Sequence, residues 1–459
     1  MADYDVMIIG SGPGGYVCAI RAAQLGTNVA IVESREMGGT CLNRGCIPTK
    51  ALLETASIFS RAKNAENFGV KVSGVSIDMS KAMANKDAIV AKLRGGVEFL
   101  MKKNKIDVIK GTARLAGRKK VAVTDASGAV KEYSTEKIVI ATGSEPARPK
   151  MFPFDEKYVL TSDEMLKLKS IPKKLLVVGG GYIGSEFASM FREYGSDVTV
   201  VEMLDRILPL SDADVSAELT KAFKKAKIKV LTGTKIESLQ VKNRKVSAKL
   251  SNGEKMTFDK ALISVGRGAN AQDIGLEAAG VQMDGPFIGI NEHCQTNIPN
   301  IYAIGDVTGK LMLAHCASKQ AIIAAEHAHD HNVSMSYRVV PAVVFTHPEA
   351  ANVGLTEAEA KEKGVKVKVS KFSFQALGKA LVMGETTGFA KIVADEQTGE
   401  VLGVHLIGPH VSDLIAEAAL AMQMEATVSE IAHTIHAHPT LAESLMESAE
   451  SWLGMGIHG

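Results

Sequence analysis

The feature that most restricts this chain is a pattern it carries twice. Tyr4–Ile9 is a short apolar run, followed at once by Gly10-Ser11-Gly12-Pro13-Gly14-Gly15 and an alanine-rich helical stretch that stops at Gly26. A second apolar run, Asn28–Val32, then ends in Glu33. The same order returns at Leu175–Val178, with Gly179-Gly180-Gly181-Tyr182-Ile183-Gly184, a helical stretch to Tyr194, and Asp197–Val201 ending in Glu202. Twenty-three positions separate Gly10 from Glu33, and the same number separate Gly179 from Glu202. In each copy the glycines let the backbone turn tightly and approach a pyrophosphate at a helix N-terminus, while the acid is placed to accept from a ribose hydroxyl. A lone glycine loop is weak evidence, but strand, loop, helix, strand and terminal acid together form a dinucleotide fingerprint. The candidate contacts are Gly10, Gly12, Gly15 and Glu33 in one copy and Gly179, Gly181, Gly184 and Glu202 in the other. The chain binds two dinucleotides, or it is a duplicated fold that kept the loop twice. A carboxylate at Glu202 favours an unphosphorylated ribose, since a 2′-phosphate calls for arginine there and only Arg206 is near. NAD is expected over NADP.

Just after the first copy stands Gly38-Gly39-Thr40-Cys41-Leu42-Asn43-Arg44-Gly45-Cys46-Ile47-Pro48-Thr49-Lys50. In a regular helix, five positions separate two Cα atoms by about 7.5 Å. A disulfide wants them about 4.4–6.8 Å apart, so the segment must bend if the pair closes. Gly39, Gly45 and Pro48 permit that. Redox chemistry competes here with two plainer readings, buried unpaired thiols and half of a metal site. No further metal ligands follow at the usual spacing, and no metal is expected.

Composition narrows the classes. Hydrophobic residues at 46% and charged residues at 23% describe an ordinary globular chain, and 459 residues suggest about three domains. Formal net charge is +2, and the lysine pairs Lys102-Lys103, Lys119-Lys120 and Lys224-Lys225 are interleaved with acids, which argues against a nucleic-acid surface. No apolar run reaches 18 residues, so no membrane span is expected. The start runs directly into a strand without an export signal, so a cytoplasmic location is expected. Five cysteines in such a setting do not make a structural disulfide framework. Cys18, Cys294 and Cys316 are expected to be buried and inert.

Helices are expected over Ala51–Asn64 and Met79–Asn104, alternating strands within Lys119–Lys137, and an apolar strand Lys137–Ala141 leading to Thr142-Gly143. Glu145–Pro153 reads as a linker, and Val265-Gly266-Arg267 closes the second nucleotide unit. Ile301–Ile304 leads to Gly305-Asp306, where the acid either caps a turn or meets a sugar or ribitol hydroxyl. Ala314 opens a helix to His329, whose N-terminus would stabilise negative charge on a bound ring. From Val339 the character changes. Pro341–Phe345 and Ala390–Leu406 read as strands, and Thr356–Lys363 as a helix with a capping box. The chain then reaches His433-Thr434-Ile435-His436-Ala437-His438-Pro439-Thr440-Leu441-Ala442-Glu443. A second capping box at Thr440 and Glu443, or a histidine metal site, are the plain readings. Neither accounts for His438 held before proline with Glu443 five positions on. An imidazole oriented by a carboxylate is what a thiol system needs for proton transfer near neutral pH.

Two dinucleotide loops, the Cys41–Cys46 pair and the terminal His-Pro-Glu element together resemble the FAD-dependent pyridine nucleotide-disulfide oxidoreductases. Among these flavoprotein disulfide reductases the closest pattern is the dihydrolipoamide dehydrogenase branch, and the likeness covers essentially the whole chain. The resemblance implies an α/β chain with two Rossmann-like dinucleotide-binding domains, for FAD and NAD, plus a C-terminal α+β dimer-interface domain. Its boundaries would be 1–145 and 267–337 for the discontinuous FAD domain, 146–266 for the NAD domain, and 338–459 for the interface. Gly10, Gly12, Gly15, Glu33, Lys50, Thr142, Gly143, Asp306 and Ala314 would hold FAD. Gly179, Gly181, Gly184, Glu202 and Gly266 would hold NAD, with Tyr182 near the nicotinamide and Glu186 paired with Lys50. Cys41 would exchange with dihydrolipoamide, Cys46 would face the flavin, and His438, oriented by Glu443, would serve the disulfide of the other subunit of a homodimer. The dithiol would arrive on the lipoyl domain of a 2-oxo acid dehydrogenase acyltransferase or on a glycine-cleavage carrier protein. Arg44 departs from the small apolar residue of many relatives, which bears on thiolate pKa or partner contacts. Glutathione-type and mercuric reductases, an NADH oxidase and a redox sensor without turnover are the alternatives. The chain lacks the arginines beside Glu202 and the terminal cysteines that the first two would want.

Overall fold

The structure, a computed structural model, describes residues 2–458. Two compact units share the chain. The first comprises the chain up to Leu52, Asp78–Ala147 and Gly266–Ser336; the second comprises Leu53–Ile77, Arg148–Val265 and the chain from Tyr337 onward.

Strand Tyr4–Ile9 lies at the middle of the first unit's parallel sheet. Parallel neighbours build out from it in the order Asp107–Lys110, Val29–Glu33, Tyr4–Ile9, Val130–Ile140, Ile301–Ala303. Val29–Glu33 is buried along its whole length, as a parallel strand covered on both faces requires. Helices Pro13–Gln24 and Ala314–His327 pack against each other beside this sheet. Val130–Ile140 is long enough to serve twice. Its second half joins the parallel sheet, while its first half pairs antiparallel with Lys120–Thr124, which pairs in turn with Thr112–Gly117. The turn at Ser127-Gly128 is held by Asp125, whose carboxylate accepts the Ser127 and Ala129 N–H groups.

Within the second unit a parallel sheet runs Lys229–Leu231, Asp197–Val201, Lys174–Val178, Lys260–Ile263, Val159–Leu160. A three-stranded antiparallel sheet, Ile236–Lys242, Lys245–Leu250 and Lys255–Phe258, shares one apolar cluster with it through Leu176, Ile236, Val246 and Phe258. The C-terminal part is a five-stranded antiparallel sheet in the order Ala342–Val344, Glu349–Gly354, Val401–Gly408, Phe389–Asp395, Val367–Ser373. Helices Val411–Gln423 and Glu443–Leu453 pack on it around Phe372, Ile392, Leu406, Leu445 and Trp452. The architecture is α/β with two Rossmann-like sheets and a C-terminal α+β part.

Three local readings change. Ala390–Leu406 is a hairpin of two strands, because Asp395 accepts the Gln397 and Thr398 N–H groups and Gly399 takes the left-handed region at φ 74°. The helix expected from Ala51 begins at Cys46, with Pro48 in its first turn where no N–H is needed. Part of the expected linker is paired: Ser144–Pro146 runs antiparallel to Arg267–Ala269. The capping box at Thr356 forms as read, with Thr356 and Glu359 each bonding the other's backbone.

Candidate active site

Cys41 and Cys46 are joined as a disulfide with their Cα atoms 4.7 Å apart. The bend that a helix could not supply comes from a break between two helices, Gly39–Arg44 and Cys46–Lys63, at Gly45. Asn43 ties the first helix down by donating to the Met37 and Gly39 carbonyls, and the Thr49 hydroxyl donates to the Gly45 carbonyl at 2.6 Å. The segment is seated on the first glycine loop. The Gly38 N–H donates to the Ser11 carbonyl at 3.1 Å, and a Cβ on Gly39 would lie 2.5 Å from the Gly12 Cα. Gly38 and Gly39 hold φ of 94° and 61°, left-handed values that glycine tolerates. Backbone approach this close puts the disulfide segment against the first glycine loop.

The two glycine loops prove to be the same device. A Cβ on Gly15 would collide with the Gly10 carbonyl, and one on Gly184 with the Gly179 carbonyl, so these glycines let helix and strand pack. Gly12 and Gly181 are different. Their φ angles, −63° and −71°, suit any residue, and a Cβ on either would meet nothing within 4 Å. Neither backbone strain nor packing requires glycine there, which leaves the open space itself, a cradle at a helix N-terminus fitted to a pyrophosphate. Glu33 and Glu202 are buried at the strand ends. Glu33 accepts from the Ser11 N–H at 2.9 Å, the Ser11 hydroxyl and the Arg35 N–H, while Glu202 accepts from the Gly180 N–H at 2.6 Å and the Leu204 N–H. Each acid thus braces its own loop.

His438 Nδ1 lies 2.8 Å from Glu443 Oε1, and Glu443 Oε2 accepts the Thr440 N–H at 2.7 Å. Helix Glu443–Leu453 starts at Glu443, so no capping box forms with Thr440. The His438 side chain is 77% exposed, whereas Glu443 is 13% exposed. One ring nitrogen is therefore committed to the carboxylate while the ring stands in solvent. Burial pushes the Glu443 carboxyl up, but the Thr440 N–H and the imidazole more than offset this and hold it below its usual range.

Comparison with known proteins agrees with this geometry. The sequence pattern of the pyridine nucleotide-disulphide oxidoreductases matches residues 4–321, and that of the dimerisation domain of the same proteins matches residues 340–449. The chain belongs to this family. It is similar to the dihydrolipoyl dehydrogenases of Bacillus subtilis (47% identical, 99% of each chain covered) and Thermus scotoductus (45%, 100% of this chain and 99% of the other). Among solved structures it resembles LpdA from Mycobacterium tuberculosis, with a TM-score of 0.92, 28% identity and coverage of 97% and 99%. It also resembles the HOCl-induced flavoprotein disulfide reductase RclA from Escherichia coli, solved as a Cu(II) complex, with a TM-score of 0.89, 29% identity and coverage of 98% and 100%. The cofactors of the family are FAD and NAD, and the two open cradles fit them.

The other candidates of this family site fall into small groups. Asp306 lies in the short turn Gly305–Thr308 and accepts from the Ser144 hydroxyl, which itself accepts from Arg267 Nε at 2.7 Å. Thr142 donates to the Asn270 carbonyl at 2.7 Å, and Asn270 returns a bond to the Thr142 carbonyl. Gly143 and Gly266 are left-handed, with no neighbour to a Cβ within 4 Å. Ala314 is the first residue of helix Ala314–His327, and Lys50 lies one turn into helix Cys46–Lys63. Tyr182 opens helix Tyr182–Glu193; burial raises its phenol pKa, against a smaller opposing effect of Ser211. Glu186 is buried and accepts the Phe345 N–H at 3.0 Å. Ser11, Ser144, Arg267 and Asn270 escaped the sequence reading. Only Ser11, inside the glycine loop, carried a local signal.

Arg44 is bonded to Glu36 at 2.8 Å. Burial raises the Glu36 carboxyl, yet its own N–H, Arg44 and Arg94 together hold it low. Cys18, Cys294 and Cys316 are buried, and burial pushes their thiols up to about 12, 12 and 11. They stay protonated near neutral pH. Among the described residues, no three His, Cys, Asp or Glu side chains group to hold a metal ion, and no helix is long and apolar enough to cross a membrane.

Proposed function

We propose that the chain is a dihydrolipoyl dehydrogenase, oxidising protein-bound dihydrolipoamide at Cys41–Cys46 and delivering the electrons to NAD⁺. The observation that carries this reading is the seating of the disulfide segment on the first glycine loop through Gly38, Gly39, Ser11 and Gly12. Gly10, Gly12, Gly15, Glu33, Lys50, Thr142, Gly143, Asp306 and Ala314 would hold FAD. Gly179, Gly181, Tyr182, Gly184, Glu202 and Gly266 would hold NAD. A buried carboxylate at Glu202 disfavours a 2′-phosphate.

A dithiol of the substrate gives up a proton to His438 and its thiolate attacks Cys41 Sγ. The Cys41–Cys46 bond breaks, and Cys46 leaves as a thiolate in the first turn of its helix, where aligned peptide dipoles favour negative charge. The second substrate thiol then attacks the mixed disulfide, its proton passing to Cys41 as that sulfur leaves, and lipoamide closes. Glu443 fixes the imidazole tautomer throughout. The chemistry that FAD and NAD⁺ supply when bound is acceptance by FAD of the electron pair from the reduced Cys41 and Cys46, restoring their disulfide, and its removal on NAD⁺ as hydride. His438 is exposed, and so are the apolar side chains of Ile435, Leu420 and Met424 in the same C-terminal part. A family dimerisation domain with such a surface supports a homodimer in which His438 serves the partner's disulfide. Delivery of the dithiol by the lipoyl domain of a 2-oxo acid dehydrogenase acyltransferase or a glycine-cleavage carrier protein, and a cytoplasmic location, go with this reading.

The test is NADH oxidation followed with lipoamide, oxidised glutathione and oxygen in parallel. Turnover with lipoamide alone, lost in Cys46→Ser while FAD stays bound, is expected. Full turnover in that variant, or a preference for either other acceptor, overturns the assignment.

A further inference from the structure

Lys391 is a buried cation on the C-terminal sheet, with its side chain 3% exposed. Its ammonium donates to both oxygens of Asp212, at 3.0 and 3.1 Å, to Asp214 at 3.0 Å and to Glu357 at 3.3 Å. Lys371 approaches Asp214 from outside at 3.2 Å, and buried His405 sits directly across from Lys391 on the neighbouring strand. A lysine so desolvated is retained only where its carboxylates outweigh the loss of water, and these do: burial lowers its pKa, yet the net shift is upward.

What the lysine grips is the end of the nucleotide loop's support. Asp212 caps helix Ala213–Lys225, and one turn on, the Ser216 hydroxyl donates to the Ile207 carbonyl at 2.6 Å. Ile207 lies against the second glycine loop, where a Cβ on Gly180 would come 2.7 Å from its Cγ2. The next residue, Leu208, donates its N–H to the Gly180 carbonyl at 2.8 Å while held at φ 46°, a left-handed conformation unusual for leucine. Gly180 N–H in turn is the donor to Glu202. A strained residue persists where its surroundings over-determine it, and here the determinants end on Lys391.

We infer that Lys391 is a positioning residue for the pyridine nucleotide: through Asp212 and Ser216 it holds the segment Met203–Ser211 against Gly180 and so sets the loop that receives the pyrophosphate. This rests on the assignment of Gly179–Gly184 to NAD. The dimer-interface sheet and the nucleotide loop are then one mechanical unit, and the coupling is charge-dependent rather than a matter of bulk packing.

The test uses the holoenzyme with Lys391→Met, which keeps the stem and removes the charge. NADH affinity is expected to fall about fivefold or more, within the usual range of coupling between sites. The KM for NAD⁺ should rise while kcat at saturating NAD⁺ and the rate of FAD reduction by dihydrolipoamide hold. Amide hydrogen exchange at Leu208 should speed up in nucleotide-free protein. Lys371→Met, the outer lysine, should change none of these. If Lys391→Met does not accumulate folded, Ser216→Ala severs the same chain one link nearer the loop and is judged on the same readouts. Unchanged NADH affinity and unchanged Leu208 exchange in the deciding variant refute the inference. Failure of the unsubstituted enzyme to bind NADH would instead refute the nucleotide assignment itself.

Discussion

Gly181 and Gly184 offer one substitution with opposite consequences. At Gly181 an alanine keeps φ near −71° without strain, and its Cβ enters space with no protein atom within 4 Å. Reducing the freedom of the unfolded chain stabilises by about 0.4–1 kcal/mol. Replacing glycine by alanine at a helix N-cap costs a few tenths to about 1 kcal/mol. The two nearly cancel, so the melting temperature of Gly181→Ala should move by less than about 2 °C. The methyl group occupies the cradle, however, and holds a pyrophosphate off the loop N–H groups. Losing one or two charge-assisted hydrogen bonds at about 1.5 kcal/mol each weakens NADH binding roughly 10- to 100-fold. At Gly184 the same methyl collides with the Gly179 carbonyl and lies 2.8 Å from Ser264 Oγ. Overpacking there costs about 1–3 kcal/mol and lowers the melting temperature whether or not nucleotide is present. Calorimetry of nucleotide-free protein and titration with NADH measure the two effects separately. The reasoning fails if Gly181→Ala binds NADH within twofold of the unsubstituted chain, or if it unfolds as early as Gly184→Ala.

Two further outcomes bear on the thiol chemistry. Cys46→Ser and His438→Ala should each be inactive, yet dimers reassembled from an equal mixture should regain about a quarter of full activity, because an isologous dimer that pairs one subunit's cysteines with the other's histidine leaves one intact site in each mixed dimer; no recovery would place His438 and the disulfide of one chain together. Glu443 supplies a pH signature. Its folded pKa lies below the ordinary 4.5, so its bonds to Thr440 and His438 contribute stability that is present above 4.5 and lost as pH falls through the lowered folded value. Glu443→Gln should remove that acid-side loss of stability, seen in melting temperature against pH. It should also slow thiol interchange by less than the roughly 10²–10⁴-fold expected for His438→Ala, seen in rapid-mixing reduction of the enzyme.

Much of this was legible because the informative residues act locally. A glycine loop between a strand and a helix is a short-range device, and an acid at the next strand end is fixed by the length of the helix between them. The same holds for Cys41 and Cys46, whose five-residue spacing demanded a bend that Gly45 provides. His438 and Glu443 are likewise joined by a single turn of chain.

What the sequence by itself determined was therefore the pair of glycine loops, the closely spaced cysteines and the oriented imidazole, each carried by residues within a few positions of one another. The tertiary structure alone decided which glycines are packing necessities and which leave a cradle open, since Gly12 and Gly15 differ only in what a Cβ would meet. It alone brought Ser144 to Arg267 and Asp306, each more than a hundred residues away along the chain. It alone set Lys391 under Asp212. A lysine in a strand looks like any solvated lysine until the fold removes its water and supplies three carboxylates in exchange. Burial and long-range partnership are properties of the packed chain, and no local pattern of residue types encodes them.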